Sequence, residues 1–228
     1  MIMSYQQTLD NLQVKPDDYF IQTRPEMMEF IPKSAERILE VGCATGLFGA
    51  QLKRRPGVEV WGIEYDTESA EIAREKLDMV LAGDIMQLTD HLPDAYFDCV
   101  VFNDVLEHLV DPFAVLLKVK SKLVKKGLIV CSIPNIRFFY TLKNFIIDKQ
   151  WKYEDAGIMD KTHLRFFTER SIADMFDSLG YTIVELRGIN GISSCKFSMV
   201  NALSMGYLSD TRYLQFACVA TPNSTSAK

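Results

Sequence analysis

The sequence is poor in cysteine and lacks any pair of cysteines at the spacing of a zinc or redox motif. It has five cysteines in 228 residues, and this odd number without a C-x-x-C pair does not favour a disulfide framework. We therefore expect a reducing compartment, the cytoplasm. No stretch free of charged residues reaches the roughly 20 that a membrane-spanning helix needs. Charged residues also interrupt the first thirty positions, so no signal peptide is predicted.

Basic residues are not in excess either. The chain has 25 Lys and Arg against 30 Asp and Glu, a formal net charge of −5. This balance leaves no overall surplus of cations to follow a phosphate backbone, so no nucleic-acid partner is expected. The apolar fraction, 48%, is that of an ordinary globular protein with a substantial core.

Short apolar runs alternate with helical patterns along the chain. This order predicts an α/β protein with a Rossmann-like, doubly wound and mostly parallel sheet of about seven strands, the last of them antiparallel. The predicted strands are residues 37–41, 58–63, 79–82, 97–102, 128–133, 181–186 and 213–220. A helix is predicted to begin at Asp111-Pro112 and to be closed by Lys125-Lys126-Gly127, because Asp and Pro favour a helix start whereas cations and glycine favour its end.

The segment from Leu39 to Gly49 carries the first functional signal. It predicts a strand, a glycine turn and a helix start, where backbone amides point over the sheet edge and a ligand can come close. It has neither the G-x-G-x-x-G of a dinucleotide-binding loop nor the G-K-[ST] of a P-loop. Glu64 and Asp84 follow the next two strands at the same edge. There, Glu64 can accept hydrogen bonds from both hydroxyls of a ribose, and Asp84 from an adenine amino group.

Together these residues resemble the class I S-adenosylmethionine-dependent methyltransferases. The matching residues are Glu40-Val-Gly-Cys-Ala-Thr-Gly46, Glu64, Gly83-Asp84, Phe97-Asp98, Leu106-Glu107-His108 and Ser132-Ile-Pro-Asn135. The resemblance covers about residues 37–135 and implies S-adenosyl-L-methionine as the cofactor. The implied cofactor site comprises Glu40, Gly42, Cys43, Gly46, Glu64, Tyr65, Asp84 and Ile85, with Asn103 near the methionine part. Ala44 departs from the family's commonest pattern, which has glycine there.

On this basis the whole chain, 1–228, is predicted to be one methyltransferase domain. Its predicted parts are an N-terminal helical segment (1–36), the cofactor-binding core (37–135), a helical lid or substrate insertion (136–167), a C-terminal helix with strands (168–220) and a disordered tail (221–228).

Outside the core, the chain resembles a bacterial subgroup associated with sugar and cell-envelope biosynthesis. The resembling residues are Arg24-Pro-Glu26, Phe30-Ile-Pro32, Gly157-Ile-Met-Asp160 and Thr162-His-Leu-Arg-Phe-Phe-Thr168. This resemblance favours a hydroxyl of a sugar or another envelope precursor as the acceptor of the methyl group.

His108, His163 and Arg165 are the candidate catalytic residues. A hydroxyl acceptor must lose a proton, which favours a nearby base such as His108. Asp104 and Glu107 would share a face with His108 if the segment were helical. This stretch resembles quinone-precursor O-methyltransferases, which implies that the three residues are candidate ligands of a divalent cation. The alternative is that Glu107 and His108 only brace the turn.

His163 and Arg165 alternate with apolar residues, as in an extended segment with one polar face. The pattern indicates either a clamp on an anion or hydroxyl of the acceptor, or a structural link that ties the insertion to the sheet. In the second case Thr168 would cap the next helix.

Two further segments have open interpretations. The apolar helical face of 138–146, with Trp151 and Tyr153, is either a lid over the substrate or part of the core. Tyr19 and Arg24 are candidates to close over the methionine carboxylate, and a solvated N-terminal helix is the alternative.

The function hypothesis is methyl transfer to a small-molecule acceptor, with a sugar or envelope hydroxyl first and a quinone-type phenol with a divalent metal second. Two rivals are a nicotinamide-dependent oxidoreductase, against which the missing G-x-G-x-x-G counts, and a non-catalytic module that binds the cofactor. Arg24, Arg137 and Arg165 would matter at the acceptor pocket, because a local cation can bind an anionic acceptor inside an acidic protein. The sequence does not fix the oligomeric state.

Overall fold

Seven strands form one sheet in the computed structural model, which describes residues 23–223. In chain order the strands are β1 (Arg37–Val41), β2 (Glu59–Glu64), β3 (Met79–Ala82), β4 (Phe97–Asn103), β5 (Leu123–Pro134), β6 (Tyr181–Gly191) and β7 (Tyr213–Pro222). Their order across the sheet is β3-β2-β1-β4-β5-β7-β6. The first five strands pair in parallel, and β7 is antiparallel to both β5 and β6. The predicted mostly parallel α/β sheet with an antiparallel last strand is confirmed.

Helices connect the strands. The α-helices are α1 (Leu47–Leu52), α2 (Thr67–Arg74), α3 (Ile85–Leu88), α4 (Pro112–Val119), α5 (Phe139–Ile146), α6 (Glu169–Ser178) and α7 (Cys195–Leu203). Short 3-10 helices cover Pro25–Phe30, Thr89–His91, Leu106–His108, Lys120–Lys122 and Ser209–Arg212. Two predicted helix starts are confirmed: the Asp111 side chain accepts from the backbone N–H of Ala114, and Thr168 accepts from that of Ser171.

Apolar cores cover both faces of the sheet, which explains why the strand sequences are nearly continuous apolar runs. In β1, Ile38 and Leu39 belong to opposite cores, and so do Val100 and Val101 in β4. All four side chains are fully buried. The carboxyl ends of the parallel strands therefore form a rigid edge on which functional loops can be placed.

The predicted helix end at Lys125-Lys126-Gly127 is wrong, because these residues lie in β5. Helix α4 ends at Val119 and is followed by a 3-10 turn, and the strand begins at Leu123. The register between β4 and β5 shifts in this stretch, and Lys126 has a φ of 69°. The cation–glycine signal thus marks an irregularity of the strand rather than a helix terminus.

The C-terminal third also departs from the prediction. Strand β6 continues to Gly191 instead of ending at Leu186, because it pairs with β7 along its length. Residues 187–212, which lie between the last two predicted strands, contain helix α7, which the sequence interpretation did not include. Thr221 and Pro222, predicted to lie in a disordered tail, are the end of β7.

The insertion leaves and rejoins the core at one point, where an isolated bridge pairs Asn135 with Phe167. Its helix α5 has no buried residue, so the interpretation of this helix as core is wrong. Of the predicted N-terminal helical segment, the structure describes only 23–36, in which the helix is the 3-10 turn Pro25–Phe30. Residues 1–22, among them Tyr19, and 224–228 lie outside the described part.

Candidate active site

A large cavity opens at the carboxyl ends of the parallel strands. Its volume is about 1310 Å³, above the roughly 300–1,000 Å³ of a typical site for one small ligand. The predicted cofactor residues that line it are Glu40, Gly42, Cys43, Glu64, Tyr65, Asp84, Ile85 and Asn103. The insertion and β7 bound the cavity on the other side. The cavity has room for a cofactor and a second small molecule.

Two glycines shape the loop between β1 and α1 in different ways. Gly42 has a φ of 69° and donates its N–H to the Ile63 carbonyl oxygen at 2.7 Å, which holds the loop against β2. Gly46, with a φ of 76°, does not line the cavity. A Cβ on Gly46 would lie 3.2 Å from the Ala73 backbone, so this glycine lets α1 pack closely on α2.

Ala44 shows why glycine is common at its position. Its φ is 47°, in the left-handed region, which costs a non-glycine residue about 1–2 kcal/mol. Its N–H donates to Glu64 Oε2 at 2.7 Å. The alanine keeps the turn and still lines the cavity.

Glu64 joins the glycine loop to the end of β2. It accepts hydrogen bonds from the N–H groups of Ala44 and Asp66, and its side chain is buried. Burial raises the pKa of this carboxyl, and the backbone hydrogen bonds oppose the shift. Two carboxylate oxygens offer about four acceptor sites, so Glu64 can take further donors from a ligand.

Glu40 and Asn103 carry polar atoms that no other described residue satisfies. Burial raises the pKa of Glu40 to about 8, against an opposing backbone hydrogen bond from Gly49, and its Oε2 has no further hydrogen-bond partner within residues 23–223. Both amide atoms of Asn103 are likewise buried without a partner in that range. Buried polar groups are normally paired, so this wall of the cavity fits a ligand with polar groups of its own, such as the amino-acid part of S-adenosylmethionine.

Another part of the cavity wall joins a carboxylate to apolar surface. Asp84 is exposed and caps α3 by accepting from the Met86 N–H at 2.8 Å, and the adjacent Ile85 is buried. Tyr65 is 79% exposed beside the cavity. An acceptor next to apolar and aromatic side chains fits a purine with an amino group.

The cavity is acidic. Among the described residues, one guanidinium, that of Arg24, lines the cavity, and the carboxyl side chains that line it are Glu26, Glu40, Glu64, Asp84, Asp104, Glu107, Asp111 and Asp160. Although the raised pKa of Glu40, about 8, keeps that carboxyl mostly uncharged at neutral pH, the other carboxylates attract a cation and repel an anion. The sulfonium group of S-adenosylmethionine carries a positive charge that suits this field.

Arg24 is engaged by neighbouring acceptors. Its guanidinium pairs with Asp104, with Glu26 at 2.9 Å, and with Gln215 Oε1 at 3.1 Å. Gln215 in turn donates to Asp104 at 2.7 Å. These contacts tie the segment before β1 to β7 along the cavity wall. Gln215 was not predicted, because its position depends on an antiparallel strand distant in sequence.

Glu107, His108 and His163 form a cluster on the cavity wall. Their possible ligand atoms all lie within 4.8 Å of one another, and the two imidazole rings meet edge to face at 4.6 Å. His163 Nε2 is 3.9 Å from Glu107 Oε1. The cluster combines groups that can accept a proton or hold a cation.

The structure changes the predicted trio. Asp104 turns away from His108, because its carboxylate is bound by Arg24, Gln215 and the Ser132 hydroxyl. His163 takes its place through the insertion. The backbone N–H of Leu164 donates to the Glu107 carbonyl oxygen at 2.9 Å, which fixes the insertion on the cluster.

Arg165 is exposed and does not line the cavity. Its guanidinium donates to the carbonyl oxygens of Val110 and Leu164. Arg137 is held by Asp210 at 2.6 and 3.2 Å. Arg165 therefore connects the insertion to the segment after β4, as in the structural-link interpretation.

A sequence model described as a methyltransferase domain matches residues 16–186 of the chain, and this match is decisive. The chain belongs to this family. The predicted class of S-adenosylmethionine-dependent methyltransferases is confirmed, and with it the cofactor. The chain is an enzyme of the methyltransferase class.

Relatives and solved structures agree with the family. The chain is 27% identical over 163 residues to a ubiquinone biosynthesis O-methyltransferase of Aeromonas salmonicida, covering 68% of this chain and 66% of the relative. It is 26% identical over 214 residues to a ubiquinone biosynthesis O-methyltransferase of Vibrio cholerae, covering 85% and 80%. A SAM-dependent methyltransferase from Archaeoglobus fulgidus shares the fold, with a TM-score of 0.65, 22% identity and coverage of 95% and 99%.

In the described part of the chain, no helix combines the length and apolar character that crossing a bilayer requires.

Proposed function

We propose that the chain transfers the methyl group of S-adenosylmethionine to a phenolic hydroxyl of an uncharged small molecule. The observation that carries the proposal is the Glu107–His108–His163 cluster on the wall of a cavity with room for a second ligand. In the reaction, a bond forms between the acceptor oxygen and the methyl carbon while the carbon–sulfur bond breaks, and S-adenosylhomocysteine leaves.

The glycine loop and the carboxylates at the sheet edge hold the donor. Glu64 accepts from the ribose hydroxyls, and Asp84 with Ile85 receives the adenine. Glu40 and Asn103 bind the amino-acid part, because their unsatisfied polar atoms line that wall. Alignment of donor and acceptor supplies most of the rate enhancement, since the sulfonium is already a good leaving group.

His108 accepts the proton of the acceptor hydroxyl at Nε2. The Glu107 carboxylate lies within 4.8 Å of the ligand atoms of both histidines, so it stabilises the imidazolium that forms. General bases of this kind contribute about 10²–10⁴-fold to rate. A phenol, with a pKa near that of tyrosine, about 10, gives up its proton to imidazole more readily than an alcohol does.

The engaged arginines favour an acceptor without a negative charge. Arg24, Arg137 and Arg165 were the cations that an anionic acceptor would need. Each is bound to carboxylates or carbonyl oxygens, and the cavity itself is acidic. Relatives that are named ubiquinone biosynthesis O-methyltransferases support the phenol.

The same cluster fits a divalent cation. One carboxylate and two imidazoles are ligands that suit zinc and similar transition metals better than magnesium. Glu107, His108 and His163 would hold the ion, which when bound supplies Lewis-acid polarisation of the hydroxyl oxygen.

A sugar hydroxyl is the second candidate acceptor, and one observation favours it. A side cavity of about 460 Å³ adjoins the main one and shares Ile158 and Leu214 with it. Its wall combines the aromatic rings of Tyr140 and Trp151 with polar side chains such as Asn144. Such a mixture can bind the apolar face and the hydroxyls of a sugar ring.

The test is an acceptor panel with purified protein and S-adenosylmethionine. We expect catechol to gain one methyl group, seen by mass, with release of S-adenosylhomocysteine. His108→Gln should lower kcat about 100-fold and leave the Kd of S-adenosylmethionine unchanged. His91→Gln is the matched control, because His91 is exposed and outside the cavity.

Other outcomes identify the rivals. Methylation of a methyl glycoside but not of catechol would overturn the phenol. Cofactor binding without product from any acceptor would indicate a non-catalytic module. Loss of activity after chelation, with recovery on added zinc or magnesium, would assign the cluster to a cation, whereas indifference to chelation would assign it to base catalysis alone.

A further inference from the structure

The geometry points to Asp160 and Thr162 as positioning residues that fix the tautomer of His108, so that Nδ1 carries the ring proton and Nε2 offers its lone pair. The consequence for catalysis rests on the proposed function. The tautomer itself is a property of the folded chain and can be measured without an acceptor.

His108 Nδ1 contacts two oxygens of Thr162. The carbonyl oxygen is at 3.2 Å and the hydroxyl oxygen at 3.1 Å. A carbonyl oxygen can only accept, so Nδ1 donates. In the neutral imidazole, Nε2 is then the unprotonated nitrogen.

Asp160 orients the Thr162 hydroxyl. Asp160 Oδ1 lies 2.8 Å from Thr162 Oγ1 and 2.8 Å from the Thr162 backbone nitrogen. The carboxylate accepts from both, so the hydroxyl proton points to Asp160 and a hydroxyl lone pair faces His108. Asp160 is 1% exposed, which strengthens such charge-assisted bonds. His108 Nδ1–H therefore donates to the Thr162 hydroxyl, and the Thr162 hydroxyl donates to Asp160.

His163 is set in the same way by the same segment. Its Nδ1 is 2.9 Å from the carbonyl oxygen of Ile158, so its Nε2 is also the unprotonated nitrogen when the ring is neutral. Residues 158–162 thus fix both histidines of the cluster. A histidine that acts as a base or as a ligand needs that lone pair, and the hydrogen bond at its other nitrogen decides which atom offers it.

The chain makes a direct test possible, since it has three histidines, His91, His108 and His163. Long-range ¹H–¹⁵N correlation spectra at alkaline pH, where imidazole is neutral, report which nitrogen of each ring carries the proton. We expect His108 and His163 in the Nδ1–H form. The exposed His91 should show the mixture of a free imidazole and serves as the reference.

Two substitutions at Thr162 then distinguish the effect of its hydroxyl on the His108 tautomer from the effect of its backbone carbonyl. Thr162→Val should raise the Nε2–H population of His108 and leave His163 unchanged, whereas Thr162→Ser, which keeps the hydroxyl, should match the parent. Asp160→Ala should act like Thr162→Val, because the freed hydroxyl can donate to Nδ1. Asp160→Asn keeps an oxygen acceptor and should match the parent. Should the Asp160 variants not fold, the Thr162 pair decides.

Two results would overturn the inference: a His108 tautomer mixture in the parent like that of His91, or no change in Thr162→Val. The activity measurement is independent of the tautomer measurement. If the proposed function holds, Thr162→Val lowers kcat about tenfold, the effect of about one hydrogen bond, with an unchanged Kd for the cofactor. Failure of every acceptor would remove the proposed function but leave the tautomer result standing.

Discussion

Individual side chains at the sheet edge combine burial with charge. Glu40 is 3% exposed and Glu64 is 7% exposed, and burial raises the pKa of both. Such groups are costly to keep in a fold unless a ligand uses them. Asn103, whose buried amide has no partner among the described residues, belongs to the same wall. We expect the bound cofactor to supply hydrogen-bond partners for these buried polar groups.

Glu40 gives a prediction for the pH dependence of stability. The folded pKa of about 8 lies above the ordinary value of about 4.5, so the native state holds a proton that the unfolded chain releases. The free energy of unfolding should fall as the pH rises through this window. In Glu40→Gln that fall should be smaller, as seen in urea denaturation of the cofactor-free protein from pH 5 to 8. Glu68→Gln, at an exposed acid, is the control, and equal slopes in all three proteins would contradict the assignment.

At the scale of elements, the β1–α1 loop depends on close packing as well as on backbone freedom. Gly42 shows both requirements, since its φ is 69° and a Cβ would lie 2.5 Å from Val105 Cγ2. Gly57 has a similar φ of 79°, but a Cβ there would meet nothing within 4 Å. A comparison of alanine substitutions at Gly42 and Gly57 therefore separates the cost of backbone strain from the cost of steric overlap.

Gly57→Ala should cost about 1–2 kcal/mol of unfolding free energy, from the left-handed backbone alone. Gly42→Ala should cost about 1–3 kcal/mol more, from overpacking against Val105, and should also weaken cofactor binding, which Gly57→Ala should not. Urea denaturation and a titration with S-adenosylmethionine measure the two effects. Equal destabilisation by both substitutions would mean that Val105 moves aside without cost.

The whole molecule places an acidic cavity between a rigid sheet edge and an insertion anchored at Asn135 and Phe167. The acidic residues behind the net charge of −5 are therefore partly concentrated at the cavity. The carboxyls that line the cavity favour the donor, whose sulfonium is positively charged, over the product S-adenosylhomocysteine, whose sulfur is uncharged.

The increase in thermal stability on ligand binding tests whether the cavity as a whole binds the cofactor product. S-Adenosylhomocysteine at 100 times its Kd stabilises the native state by about 2.7 kcal/mol, which for a protein of this size corresponds to a rise in Tm of about 5–10 °C. Differential scanning fluorimetry should show this shift, and Glu64→Ala should abolish most of it at the same concentration. NADH at that concentration should give no shift; a comparable shift with NADH would point instead to a dinucleotide site.

The fold could be predicted where local signals and burial agree. Strands β1 and β3 have the predicted bounds, and Asp111 and Thr168 cap the predicted helices, because apolar runs buried on both faces and helix caps are local properties. The end of α4 and the extent of β6 could not be predicted in this way. Each depends on a register with a partner strand, which the local pattern does not contain.

Some residues of the candidate site could likewise be predicted from the sequence, and others could not. The sequence by itself determined the edge of the sheet, from one loop and from carboxylates after successive parallel strands, and the family and cofactor through the resemblance that these residues carry. Only the tertiary structure decided that His163 replaces Asp104 beside Glu107 and His108, that Gln215 reaches the cavity, and that Asp160 and Thr162 support the cluster. The physical reason is that these contacts join segments more than fifty residues apart, through an antiparallel strand and an insertion whose paths follow from packing.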